Sequence, residues 1–131
     1  MKKLKIQTDY LEHVFTPTVF NAKAKKLIAK IKEFKRKNKV EAVAFCGHSG
    51  AAMAYVLAYS LKIPLLCVRK PDKSHSRYKV EGNVGAKNYI IVDDFIDSGK
   101  TMDKILKSIK QCDKINPPLP IGIFLYNDYP P

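Results

Sequence analysis

The segment Tyr89-Ile-Ile-Val-Asp-Asp-Phe-Ile-Asp-Ser-Gly-Lys-Thr101 constrains the fold of this chain more than any other stretch. An apolar run from Tyr89 to Val92 ends in two adjacent carboxylates, Asp93 and Asp94. A short loop, Asp97 to Thr101, then opens a helical pattern. That order describes a buried strand carrying acids at its C-terminal end, followed by a small-residue turn. In open α/β sheets ligands bind at this edge. Backbone N–H groups at a helix start, with the positive end of the helix dipole behind them, cradle a phosphate. Two carboxylates beside such a nest suit a ligand with both a vicinal diol and a phosphate, as in a ribose 5-phosphate. Gly99-Lys100-Thr101 looks like the end of a Walker A loop. That motif requires a glycine five residues before Gly99, where this chain has Asp94. The Walker reading is excluded.

The flanking sequence alternates helix and strand patterns. A helix is expected from about Val19 to Lys37, with Ala24, Leu27, Ile28, Ile31 and Phe34 on its apolar face. A strand over Glu41–Cys46 leads into a loop, Gly47-His48-Ser49-Gly50. The stretch Ala51–Leu61 is apolar nearly all round and reads as a buried helix. Pro64–Val68 reads as a second strand. A helix from about Lys100 to Gln111 turns Met102, Ile105, Leu106 and Ile109 inward; Asn116–Pro120 breaks it, and Ile121–Tyr126 forms the last strand. Continuous rather than alternating apolar strands imply a mostly parallel sheet covered on both faces. The polar connection from Pro71 to Lys87, bounded by Gly82 and Gly85, is long for such a fold and suggests a lid or a small hairpin.

At 131 residues the chain is expected to form one α/β domain. Its net charge of +12 raises nucleic acid as a partner. Nine of its 24 basic residues, however, fall between Lys23 and Lys39, on the outer face of an amphipathic helix. That is a solvated lysine face, and nucleic acid is not the expected partner. No apolar run approaches the ~20 residues of a membrane span. The basic start Met-Lys-Lys-Leu-Lys-Ile has no apolar core after it and does not read as a signal peptide. Cys46, Cys67 and Cys112 lack metal-ligand spacing, and the first two sit in apolar runs as small hydrophobes. A cytoplasmic protein is expected.

On these residues the chain resembles the type I phosphoribosyltransferases. An apolar strand, two acids and a Thr/Ser-Gly-x-Thr loop form that family's motif for phosphoribosyl diphosphate (PRPP). With Asp97 and Lys100 the version here is most similar to that of hypoxanthine-guanine phosphoribosyltransferases. The resemblance implies a mostly parallel sheet flanked by helices. It implies that Asp93 and Asp94 hold the ribose hydroxyls, and that Asp97, Ser98, Gly99, Lys100 and Thr101 bind the 5′-phosphate. Asp97 then faces the purine N7 as proton acceptor. Mg²⁺ arrives with PRPP, bound mainly by pyrophosphate and ribose oxygens near Asp93 and Asp94. The loop after the first core strand, Gly47, His48, Ser49 and Gly50, holds pyrophosphate.

The run Arg69-Lys70-Pro71-Asp72-Lys73-Ser74-His75 resembles the basic loop of orotate phosphoribosyltransferases. It implies that Arg69 and Lys70 contact pyrophosphate, that Lys73 and His75 act from a moving loop, and that the loop is shared across a homodimer. Arg and Lys neutralise charge as pyrophosphate leaves. Departures from both patterns are visible. Pro71 replaces the usual acid, no glycine follows His75, and the lysine that reads a 6-oxo group in the oxopurine enzymes falls near the neutral Asn127. A C-terminal hood over the base is not expected of these residues either. Residues 1–18 are therefore expected to serve as a partial hood on a core of residues 19–131, with Tyr10, Phe15 and Tyr129 as stacking candidates.

The expected function is Mg²⁺-dependent transfer of phosphoribose from PRPP to a nucleobase, purine favoured over orotate, with release of pyrophosphate. The alternative is a non-catalytic PRPP- or nucleotide-binding regulator, which the missing hood and basic surface suit. Asp97 and the cations at the leaving group favour catalysis, because a sensor needs only affinity.

Overall fold

The computed structural model of the protein describes residues 4–70 and 77–127. A short helix α1, Glu12–Phe15, precedes α2, Pro17–Lys35. Then follow β1 (Val43–Phe45), α3 (Gly47–Leu61), β2 (Leu65–Val68), β3 (Val80–Gly82), β4 (Asn88–Asp93), α4 (Lys100–Lys110) and β5 (Leu119–Leu125). The five strands form one sheet in the order β3-β2-β1-β4-β5. β1 pairs in parallel with β2 and β4, and β4 with β5; only β3, on β2, is antiparallel.

Alternate residues of the central strands face opposite layers, as the two-residue period of a strand requires. Val43, Phe45, Ile90 and Val92 pack against α2 and α3, through Leu27, Ile31, Met53, Leu57 and Leu61. Ala44, Tyr89, Ile91 and Leu66 face α4, through Met102, Ile105 and Ile109. β4 is buried along nearly its whole length, which explains its unbroken apolar run. The sheet is mostly parallel and covered on both faces, as expected.

Several expected boundaries and faces differ. α2 starts at Pro17 rather than Val19, because proline at the first helical position gives up an N–H that the helix does not use. Gly47-His48-Ser49-Gly50 is not a loop but the first turn of α3. α3 itself is buried on one face only: Tyr55 is 46% and Tyr59 79% exposed, since no further layer covers its outer side. The connection between β2 and β4 folds back as β3, a hairpin arm, with the Arg69 N–H donating to the Lys79 carbonyl at 2.9 Å. β5 begins at Leu119, two residues earlier than expected, and is an exposed edge strand. Its register slips opposite Tyr89 and Ile90, next to Pro120, a residue an edge strand tolerates.

Leu57 is fully buried between α3 and the sheet. Leu57→Ala is expected to lower the unfolding free energy by about 2–5 kcal/mol, read as a lower urea midpoint with an unchanged m-value.

Candidate functional site

β4 ends at Asp93, and both acids lie within the fold: Asp93 is 7% and Asp94 5% exposed. Burial of two carboxylates needs compensating donors. Asp93 Oδ1 accepts the Ser49 hydroxyl at 3.1 Å and the Asp94 N–H at 2.8 Å. Asp94 Oδ1 accepts the Phe95 N–H at 2.9 Å. The strand edge is closed by the chain after β5, where the Tyr126 N–H donates to the Asp93 carbonyl at 3.2 Å and the Asn127 N–H to the Asp94 carbonyl at 2.8 Å. The Tyr126 hydroxyl donates to the Ser49 carbonyl, so one tyrosine locks the first turn of α3 against the end of β5.

Burial pushes the Asp93 carboxyl up to about 6, a shift that the Asp94 N–H opposes and the Asp94 side chain adds to. Burial, reinforced by Asp94 and Asp93, also raises the Tyr126 phenol, which stays a neutral donor. His13 of α1 stands 3.9 Å from Asp94 Oδ2; burial holds its imidazole below the usual range, against the pull of Asp94.

A cavity of about 290 Å³ opens in front of the acids. Two helix starts face it. α3 begins behind Cys46 and α4 behind Gly99, and neither has a side-chain cap of its own. Ser49, in the first turn of α3, gives its hydroxyl to Asp93. At α4 the Ser98 hydroxyl oxygen accepts the Lys100 N–H at 3.3 Å. Gly47 and Gly99 carry φ of 84° and 82°, a left-handed turn that glycine adopts without strain. The N–H groups and dipole ends of two helices thus converge on one space, an arrangement suited to two separate anionic groups.

Of the expected site residues, Gly47, His48, Ser49, Lys70, Asp93, Asp94, Asp97, Ser98, Gly99 and Thr101 all line this cavity. Gly50 is buried behind the first turn of α3, and Lys100 lies outside the lining. Arg69 is turned toward β3, where its Nε is 3.3 Å from Glu81 Oε1. Lys73 and His75, with the rest of the basic loop from Pro71 on, lie outside the described residues, as does Tyr129. Tyr10 borders the cavity as expected, together with Leu11, whereas Phe15 is exposed and does not reach it. The neutral Asn127 acquires a cation from elsewhere in the chain: Lys23 Nζ of α2 donates to its Oδ1 at 3.3 Å.

Two further residues stand at the site: His13, and Cys46, which is buried as its apolar run implies. Cys46 forms part of the cavity floor at the end of β1. The visible signal for His13 was its place in a polar pair, Glu12-His13, set between Leu11 and Val14.

Two oxygen-bearing acids at a strand end match the ligand preference of a hard cation such as Mg²⁺. Among the described residues no third His, Cys, Asp or Glu joins them in a metal-binding cluster. The pair thus fits a cation that arrives with most of its ligands on a bound phosphate compound.

A family model described as PRTase-CE matches residues 5–126. No curated protein sequence matches the chain. Among solved structures, adenine phosphoribosyltransferase from Saccharomyces cerevisiae, complexed with adenine and an imino-altritol bisphosphate, is 20% identical. It superposes with a TM-score of 0.66 over 91% of this chain and 77% of that one. Orotate phosphoribosyltransferase from Aeropyrum pernix is 18% identical, with a TM-score of 0.64 over 90% of this chain and 64% of its own. UMP synthase from Leishmania donovani is 17% identical with a TM-score of 0.60; the match covers 85% of this chain but only 22% of the synthase. At these identities the likeness is one of fold, that of type I phosphoribosyltransferases. No helix among the described residues is long and apolar enough to cross a membrane.

The raised Asp93 carboxyl has a consequence for stability. A group whose folded value lies above its unfolded value of about 3.9 stabilises the fold below that pH and loses this contribution as pH rises through about 6. An amide keeps the acceptor for Ser49 and Asp94 N–H without the buried charge. Asp93→Asn is therefore expected to melt higher than the unsubstituted protein at pH 7.5 in the presence of EDTA, with the gap shrinking toward pH 4. Thermal melts across that range check it.

Proposed function

The chain belongs to the PRTase-CE family of phosphoribosyltransferases, and from that premise we propose that it transfers the 5-phosphoribosyl group of PRPP to a nucleobase. The observation that carries this reading is the single cavity shared by Asp93, Asp94 and the starts of α3 and α4. Asp93 and Asp94 accept hydrogen bonds from the ribose 2′- and 3′-hydroxyls. Their charge also favours the cationic ribose carbon as the C1–oxygen bond breaks. The turn Asp97–Thr101 takes the 5′-phosphate through N–H groups and the Ser98 and Thr101 hydroxyls. Pyrophosphate leaves with the bonding electrons toward the first turn of α3 and Lys70, whose ammonium lies on that side of the cavity. Arg69, drawn to Glu81 here, joins on reorientation. The base nitrogen forms the new bond to C1 and loses its proton, with Asp97 as acceptor. Asp93 and Asp94 are the residues that would stand beside a Mg²⁺ carried in by PRPP, which would supply charge neutralisation on the pyrophosphate.

Tyr10 and Leu11 line the cavity and form the acceptor's apolar contact, the partial hood expected of residues 1–18. A purine is the favoured acceptor, on the resemblance of Asp97 and on adenine in the yeast relative. Lys73 and His75 act from the basic connection, which two subunits of a homodimer share.

Pyrophosphate release from PRPP and Mg²⁺ is to be assayed with adenine, hypoxanthine, guanine, xanthine, orotate, uracil and nicotinate in turn. Release with a purine is expected, and Asp94→Asn should remove it while leaving the melting temperature in place. PRPP binding without release for any base would favour the regulatory reading instead. Lys73→Ala should lower kcat by about a hundredfold with PRPP affinity nearly unchanged, since a loop contact made in the transition state acts on turnover. Equal losses in kcat and PRPP affinity would make Lys73 a ground-state ligand.

A further inference from the structure

The two acids at the end of β4 are held unequally. Asp93 Oδ1 has two donors, Ser49 Oγ and the Asp94 N–H. Asp94 has the Phe95 N–H on Oδ1, and its Oδ2 faces His13. The His13 side chain is 10% exposed, and its Nε2 is enclosed with no hydrogen-bond partner among the described residues. A buried polar atom without a partner is costly and calls for an explanation.

The distance from Nε2 to Asp94 Oδ2 is 3.9 Å. That is about an ångström beyond a hydrogen bond and too short for an intervening water. Only a small closing movement separates the two groups. The imidazole is aimed by its surroundings. It packs on Tyr126 with ring centroids 5.6 Å apart, and Tyr126 is pinned by Phe20 at 5.8 Å and by its bond to the Ser49 carbonyl. Because Asp94 can only accept when ionised, Nε2 must carry the proton in this contact.

We propose that His13 is a positioning residue for Asp94: on ribose binding its Nε2–H closes onto Oδ2 and fixes the plane of that carboxylate. This rests on the PRPP reading above and extends it to a residue outside the PRPP motif. In the closed state each acid has a dedicated side-chain donor, Ser49 for Asp93 and His13 for Asp94. His13 also lies two residues after Leu11, so the same closure ties the Tyr10–Leu11 wall to an occupied ribose site. The acceptor space and the sugar site become one mechanical unit.

His13→Gln and His13→Leu separate this role from packing. Glutamine carries an N–H close to the place of Nε2, whereas leucine fills volume without a donor. PRPP binding by calorimetry and steady-state pyrophosphate release are measured for both, with melting temperatures alongside. His13→Leu is expected to raise the PRPP Kd and KM by about tenfold while kcat at saturating PRPP is kept. His13→Gln should stay near the unsubstituted protein. Unchanged PRPP affinity in His13→Leu, or equal losses in both variants, would overturn the assignment. If the leucine variant fails to fold, His13→Asn, whose amide is too short to reach Oδ2, takes its place with the same expectation. The unsubstituted protein serves as the separate control: failure to bind PRPP there overturns the phosphoribosyl reading itself, and the role of His13 with it.

Discussion

The site depends on two carboxylates being kept where little water reaches them. Asp93 and Asp94 are nearly as buried as the core residues behind them, and burial is the main reason the Asp93 carboxyl is raised to about 6. Such a pair persists only because surrounding elements supply donors: the α3 hydroxyl of Ser49, the backbone of the acid pair itself, and the N–H groups after β5 that hold its carbonyls. A ligand that brings hydroxyl donors and positive charge relieves the strain that folding alone leaves in place. Stability is given up here for binding, a trade that sites of this kind commonly show.

The second constraint is the convergence of helix starts. α3 and α4 lie on opposite faces of the sheet, in different core layers. They meet at one cavity because β1 and β4 are adjacent parallel strands, so the turns leaving them open at the same edge. Parallel pairing is therefore what brings two positive dipole ends within reach of one ligand. The local sequence then withholds the usual caps. Glycine precedes α4 and cysteine precedes α3, neither offering a side-chain cap, although the Ser98 hydroxyl takes the Lys100 N–H. Backbone N–H groups left in this way suit the two phosphate-bearing ends of a molecule such as PRPP.

Much of this was legible in the residues, and what was not has physical causes. The run Tyr89–Asp94 betrayed its strand because burial on both faces leaves no polar alternation to confuse it. Its acids declared the edge at which ligands bind. Gly47–Gly50 misled because small polar residues read as a loop, whereas here they open a helix whose first turn must come close to β4. Tyr55 and Tyr59 misled in the opposite sense: an apolar pattern all round α3 suggested full burial, yet only one layer covers it. β3 was hidden by its length of three residues and its exposure. His13 could not be placed at all, since its role depends on a segment more than 80 residues from Asp94 in sequence folding against the acid it faces.

The N-terminal segment follows from that geometry. An open α/β sheet leaves the mouth of its ligand crevice exposed on the side away from the helices. Here Tyr10 and Leu11 line it, anchored a few residues later by Val14 in the α2–α3 core and by Phe20 on Tyr126. The anchor passes through Tyr126 to the carbonyl of Ser49, the residue that also bonds Asp93. A change in the N-terminal segment is thus transmitted to the acids through a chain of three packed or hydrogen-bonded groups. Under the proposed phosphoribosyl reading, the acceptor wall and the sugar site share this frame. The rings of His13, Phe20 and Tyr126 tie the segment that carries this wall to the frame on which the carboxylates sit.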